Sequence, residues 1–431
     1  MAFGGGSFLA QNKVLPGVYV NVAQQSKQSS VLSERGVAAL GVELDWGPDG
    51  EMFYVEANEF MQDAAKYFGY SYGDDKLAGL RDLFLHVKGC WFYRLNSGVK
   101  AANKLCEAKY SGVRGNALRI VVEETEDLDY IVRTYLDGRE VDAQLVSGAE
   151  ELVDNDYVCW LDSAAVVKAE TLSLTGGSNK AAVTLEDYEV MLPLLENCQF
   201  NVLGCLSADS GIKVHMARYT RDQRQQNGKY FQTVLYRYAC DYEGVISIEN
   251  KVTDVGVPEY ALVYWLTGAE AGCAVNATLT NAVYDGEFHP EVSASQNDLM
   301  EALQQGKLVL HRVGDSLRVL EDINSLRTVD DNFDKRYNQT MRVIDQIIMD
   351  VSALFYDRYL GIVPNDAAGR ISLWNDIVSY HRQLANLRAI EDFDPENISV
   401  EQGDTKKAVV VSEYVMVTNA MSQLYLTVTF E

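Results

Sequence analysis

The chain is poor in the residues that usually carry chemistry. Its 431 residues hold five histidines, His86, His215, His289, His311 and His381, far apart and never as HExxH, which removes the usual warrant for a zinc hydrolase. Seven cysteines, an odd and scattered set without a CxxC pair, fit reduced buried thiols in a reducing compartment and not a disulfide framework. Positive charge is scarce: 37 Lys and Arg stand against 62 Asp and Glu, a net of −25. That balance argues against a DNA-binding or anionic-membrane surface, since both need clustered Lys and Arg. No apolar run approaches the ~18 residues of a membrane span, and the N-terminal MAFGGGSFLAQNKVLPG lacks the basic and apolar regions of a secretory signal. The sequons at Asn276, Asn338 and Asn397 are chance matches in a protein that starts in a cytoplasm.

What is present is a globular composition. Hydrophobic residues make up 47%, which excludes wholesale disorder, and the length suggests two to four domains at roughly 150 residues each. Val18, Tyr19, Val20 and Val22 belong to a short strand after a Gly-rich start, followed by the polar stretch 24–30. A strand on a flexible tether suggests an arm that pairs somewhere remote. Gly36–Val42 reads as a strand covered on both faces, a helix with Phe60, Met61, Ala64, Ala65 and Phe68 on its apolar side follows Asn58, and Cys90–Leu95 is another buried strand.

From residue 100 to 183 the pattern changes to short strands, with Asp137-Gly138 as a hairpin turn, and suggests a small inserted β-sandwich. Alternating strands and helices resume over 184–312, implying a largely parallel layered sheet. Two long helices are predicted at Met341–Tyr359 and Asp366–Leu387. The chain ends on an alternating strand with Leu424, Leu426, Val428 and Phe430 facing one way.

Catalytic motifs are nearly absent: there is no GxxxxGK[ST], no GxGxxG after a strand and no GxSxG elbow. His381 lies on its helix's apolar stripe, the place of a satisfied core or interface histidine. Gly176-Gly177-Ser178 reads more readily as a turn than as an anion cradle. Arg218, Arg221 and Arg224 recur at i, i+3 and i+6. They form either a solvated helix face or a contact with an acidic patch on a neighbouring copy.

Several stretches, in order, resemble the tail sheath proteins of contractile phage tails, R-type bacteriocins and phage-tail-like injection systems. They are Pro16–Val20, Trp46-Gly47-Pro48, Gly112–Leu118, Leu174–Gly177, Ile323–Thr328 and the closing Tyr414–Phe430. The resemblance implies a mixed α/β protein: a subtilisin-like layered α/β domain without protease function (31–100 plus 184–312), an inserted β-sandwich (101–183), and an α+β C-terminal domain nearest the tail tube (313–413). Two strand arms (1–30 and 414–431) would each join the sheet of an adjacent subunit. It further implies stacked hexameric rings around an inner tube, contraction that drives the tube through a bacterial envelope, and no catalytic, cofactor or metal site. The implied partners are other copies of the chain, the inner tube protein, and baseplate and tail terminator proteins, with no nucleic acid and no membrane insertion. Assembly would take place in the bacterial cytoplasm, whether for an infectious phage or a bacteriocin. Lys335, Arg336 and Arg342 are the expected tube contacts. The rival readings are a catalytic α/β enzyme with accessory domains and another structural homo-oligomer of a phage particle.

Overall fold

The all-apolar run Val37–Val42 forms an inner strand of a six-stranded sheet whose order is Val245–Ile248, Gln232–Tyr236, Val202–Cys205, Val37–Val42, Gly89–Arg94, Met52–Glu56. The structure, a computed structural model, describes residues 4–6, 17–19, 32–126, 129–162, 164, 169–328 and 333–430. Neighbouring strands run parallel except at the Met52–Glu56 edge, which is antiparallel. Alternation along a strand sends Ala38, Leu40 and Val42 to one face, under the helices Ala57–Phe68, Ala78–Phe84 and Leu262–Gly272. Ala39, Leu203 and Leu235 point to the other face, under Leu185–Leu195 and Ser210–Gln225. Both faces are therefore dry, which is why these strands read as continuous apolar runs and not as alternating ones.

Local signals account for most element ends. Thr184 N–H donates to Asp187 at 2.8 Å, closing the turn that starts the helix Leu185–Leu195. The helix Leu262–Gly272 lies so close to Ala78–Phe84 that a Cβ on Gly268 would sit 2.4 Å from the Leu83 carbonyl oxygen. Met61 departs from expectation and is 53% exposed. Phe60, Ala64 and Phe68, spaced by four, take the buried stripe, and Met61 falls about 100° round the helix from Phe60.

Residues 100–183 build a four-stranded antiparallel sheet in the order Glu170–Ser173, Leu118–Glu124, Tyr130–Leu136, Arg139–Val146, beside a pair made by Cys106–Ala108 and Val158–Trp160. Leu105, Leu118, Ile120, Val132, Val146 and Val158 share its core. The expected hairpin turn forms, with positive φ at both Asp137 (51°) and Gly138 (80°).

The last part carries the helices Asn338–Arg358 and Ala367–Asn386, the latter capped by Asp366 accepting from Gly369 N–H. They pack on the hairpin Ile398–Gln402/Val409–Glu413, and Met416–Val417 pairs antiparallel with Ile390–Glu391. At the other end Gly4–Gly6 pairs parallel with Gly17–Tyr19, so part of the Gly-rich start takes strand form. Val18 and Tyr19 lie in that strand, whereas Val20 and Val22 lie outside the described residues. All seven cysteines are free.

Candidate functional site

The most unusual surface is the C-terminal tail. Met421 is 101% exposed, and Leu424, Leu426, Val428 and Phe430 range from 74 to 91%. They were expected in a strand. Within one subunit, residues 418–430 form none, and the tail lacks a pairing edge. Among the described residues no backbone hydrogen bond involves 421–430. Four large apolar side chains that alternate in sequence and are all exposed make a surface suited to a partner.

The tail's root is fixed. Residues 414–420, expected as part of the arm, are tied into the subunit: Thr418 N–H donates to Ala389 O at 3.0 Å, and Thr340 Oγ1 to Asn419 Oδ1 at 3.1 Å. The segment that follows the N-terminal arm is tied to the same long helix. Ser33 donates to Asp350 through N–H at 3.2 Å and Oγ at 2.6 Å, and Gln346 Nε2 donates to Ser33 Oγ at 2.6 Å. Gln346 stands six residues along from Thr340, so the two roots sit about 9 Å apart on one helix.

That helix meets the α/β layer through buried ions. Arg342 Nη2 lies 2.6 Å from Glu270 and 3.3 Å from Asp322, with all three side chains 1% exposed. Asn338 Nδ2 donates to Glu270 at 3.1 Å and Asp322 at 2.8 Å, and Gln232 donates to Asn338 Oδ1 at 3.0 Å. Burial, then the charge of Asp322, pushes the Glu270 carboxyl up to about 8. Burial also works to raise Asp322, but the Arg342 charge and hydrogen bonds from Glu270, Leu279 N–H and Asn338 hold it below the usual carboxylate range. Further along, Arg224 makes a two-pronged pair with Asp345 at 2.6 and 2.7 Å.

These placements correct two sequence expectations. Arg342 faces the core and not a tube, because two buried carboxylates claim it. Arg218, Arg221 and Arg224 do not form one open basic face. Arg224 is buried on Asp345, Arg221 stacks over the Tyr242 ring at 4.6 Å, and Arg218 is left outside, 3.7 Å from Asp222. Of the remaining candidates Lys335 is exposed, and Arg336 is half-buried and donates to Leu303 O. His381 is buried, with Nδ1 3.0 Å from Ile377 O and Nε2 3.3 Å from Glu413.

The place where an α/β enzyme would hold substrate, beyond the carboxyl ends of the parallel strands, is a cleft of about 400 Å³. Glu43, Asp75, Tyr260 and Tyr264 line it, and no His, Cys or Ser does. No nucleophile–base pair stands there, and the described residues contain no group of His, Cys, Asp and Glu suited to a metal.

Sequence reasoning missed the joints. Arg94, a fully buried arginine, reaches Ser111 O at 2.7 Å and Asp49 at 3.0 Å. It is one residue of a junction where Trp46 packs on Tyr110 and Tyr157, and the Asn116 side chain pairs with Gly177 through bonds of 2.8 and 2.9 Å. An arginine inside an apolar strand was the available signal.

Comparison with known proteins follows this geometry. Residues 181–325 match the family described as phage tail sheath protein central domain, and 330–431 match the phage tail sheath C-terminal domain. The phage-like element PBSX protein XkdK of Bacillus subtilis (strain 168) is 29% identical over 467 aligned positions, covering 98% of this chain and 99% of that protein. The crystal structure of the sheath tail protein of Desulfitobacterium hafniense superposes with a TM-score of 0.80 at 30% identity, over 94% of this chain and 98% of that one. At 14% identity and a TM-score of 0.58, the helical sheath of the anti-feeding prophage in its contracted state shares the fold over 97% of this chain and 99% of that one.

Proposed function

Because the chain belongs to the phage tail sheath protein family of contractile phage tails and injection systems, we propose that its exposed C-terminal tail is a strand donated to a neighbouring copy in a sheath polymer. The observation that carries this reading is the tail itself: an alternating apolar segment, unpaired in the subunit, on a hydrogen-bonded root. An acceptor sheet edge would satisfy its free amides and carbonyls and cover Leu424, Leu426, Val428 and Phe430 together. The N-terminal segment that carries Val18, Tyr19, Val20 and Val22 would act as the second link.

In this reading hexameric rings stack around an inner tube in an extended packing and contract into a denser one. The free energy released is the difference between two packings of the same folded subunits, so nothing in the subunit needs to hydrolyse a nucleotide. The layered sheet corresponds to the subtilisin-like domain and the four- and two-stranded sheets to the inserted sandwich, with the helical C-terminal part nearest the tube. Lys335, exposed where Arg342 is buried and Arg336 half-buried, is the basic side chain of this region best suited to an acidic tube. Baseplate and terminator proteins would bound the polymer at its ends, and assembly would take place in the bacterial cytoplasm.

Deleting residues 421–431 tests the central claim, and the cut spares the part of the root that the subunit holds. The truncated chain is expected to melt at the temperature of the full chain and to form no tubes or stacked rings by negative-stain microscopy. Normal tubes from the truncated chain would refute strand donation by this arm.

A further inference from the structure

The tail leaves the subunit at one side chain. Gln339, 5% exposed in the first turn of the helix Asn338–Arg358, donates through Nε2 to Thr418 O at 3.1 Å and to Asn276 O at 3.3 Å. Its Oε1 accepts from Ala420 N–H at 3.0 Å. An amide that engages a carbonyl and an N–H two residues apart reproduces the grip of a parallel neighbouring strand, here around Asn419. The side chain thereby extends the ladder that runs from Met416–Val417 on Ile390–Glu391 through Thr418 N–H to Ala389 O. Among the described residues no backbone bond follows Ala420, so its bond to Gln339 is the last fixed point before the free segment.

We propose that Gln339 is the positioning residue of the C-terminal arm, setting the direction in which 421–430 leaves the subunit. The proposal rests on the reading that this segment is donated to another copy. A tail that pivots at Ala420 searches a narrower volume than one that pivots at Thr418. Less ordering then remains to be done when it docks. Only an amide serves: glutamate would set a carboxylate against the Thr418 and Asn276 carbonyls, and methionine would keep the shape without either bond. The bond to Asn276, which lies in the loop after the helix Leu262–Gly272, also makes the exit direction move with the α/β layer.

The test uses the full chain, Gln339→Met, Gln339→Glu, the core control Leu266→Val and the 421–431 deletion. Hydrogen exchange is followed in the unassembled subunits and polymerisation by light scattering with negative-stain microscopy. Gln339→Met is expected to raise exchange at the Ala420 amide about tenfold and to slow polymerisation roughly fivefold. Leu266→Val is expected to lose thermal stability and still polymerise at the wild-type rate, a separation that a merely structural role of Gln339 would not produce. Gln339→Glu, which keeps the acceptor for Ala420, should slow polymerisation while exchange at Ala420 changes less. If Gln339→Met fails to fold, Gln339→Glu decides alone. Wild-type polymerisation rates in the Gln339 variants, or unchanged exchange at Ala420 in Gln339→Met, would overturn the proposal. If the deletion polymerises normally the donation reading itself fails; if the deletion blocks polymerisation and the Gln339 variants do not, only the positioning role fails.

Discussion

Arg342 and Glu270 meet 2.6 Å apart inside the protein, and their environment, not their spacing in sequence, sets their chemistry. Removing Arg342 leaves the buried Asp322 carboxylate without its charge partner and costs roughly 3–5 kcal/mol. Glu270 also ties stability to pH. Its folded carboxyl titrates at about 8 against an ordinary value of 4.5, so between these limits the folded state holds a proton that the unfolded chain has released. Stability therefore falls as pH rises through that window, by up to about 1.4 kcal/mol per unit from this group. Asp322, held low, acts in the opposite window and weakens the fold only as pH falls below the usual carboxylate range. Denaturant titrations at pH 5 and pH 8 should show a smaller difference for Glu270→Gln than for the wild type. An unaltered difference would place the proton elsewhere, with Asp82, raised to about 6 chiefly by burial, the next group to test.

At the scale of elements, local patterning was legible wherever burial followed the element's own period. The long helices and the Asp137-Gly138 hairpin formed as the residues indicated. Met61 and Arg342 did not follow, because which of two adjacent stripes a helix buries depends on what packs against it. The tail is the opposite case: its alternation was plain, but residues 418–430 form no strand, and among the described residues no backbone bond pairs 421–430 with an edge. Leu426→Asp should therefore leave the melting temperature of the subunit unchanged, within the ~0.5 kcal/mol usual for an exposed substitution. The same change should abolish tube formation. A marked loss of subunit stability would show that the tail packs on its own chain.

For the whole molecule, the net charge of −25 acts between copies. Most basic side chains are already committed to partners within the subunit, as Arg224 is to Asp345 and Arg81 to Glu287, so few remain to offset repulsion between neighbours. Raising salt from about 0.01 M to about 0.15 M shortens the screening length from ~30 Å to ~8 Å. Polymerisation followed by light scattering is expected to speed up over that range. Slower assembly would mean that matched charge patches outweigh the general repulsion.

The sequence by itself determined the class of the protein: its acidity, its dry parallel strands, its paired helices, the missing catalytic motifs, the ordered stretches that resemble sheath proteins, and an alternating apolar pattern at the end. These are local or compositional properties, written in period and residue type. Tertiary structure alone decided that Arg342 and Arg224 are interior ties, that the basic face is not a face, that residues 414–420 belong to the subunit, and that Gln339 holds the tail at Thr418 and Ala420. Those outcomes join residues 72, 121 and 79 positions apart, as for Arg342 with Glu270, Arg224 with Asp345 and Gln339 with Thr418. A hydrogen bond or ion pair across such a distance depends on how whole layers dock, and no periodicity within a single segment encodes that.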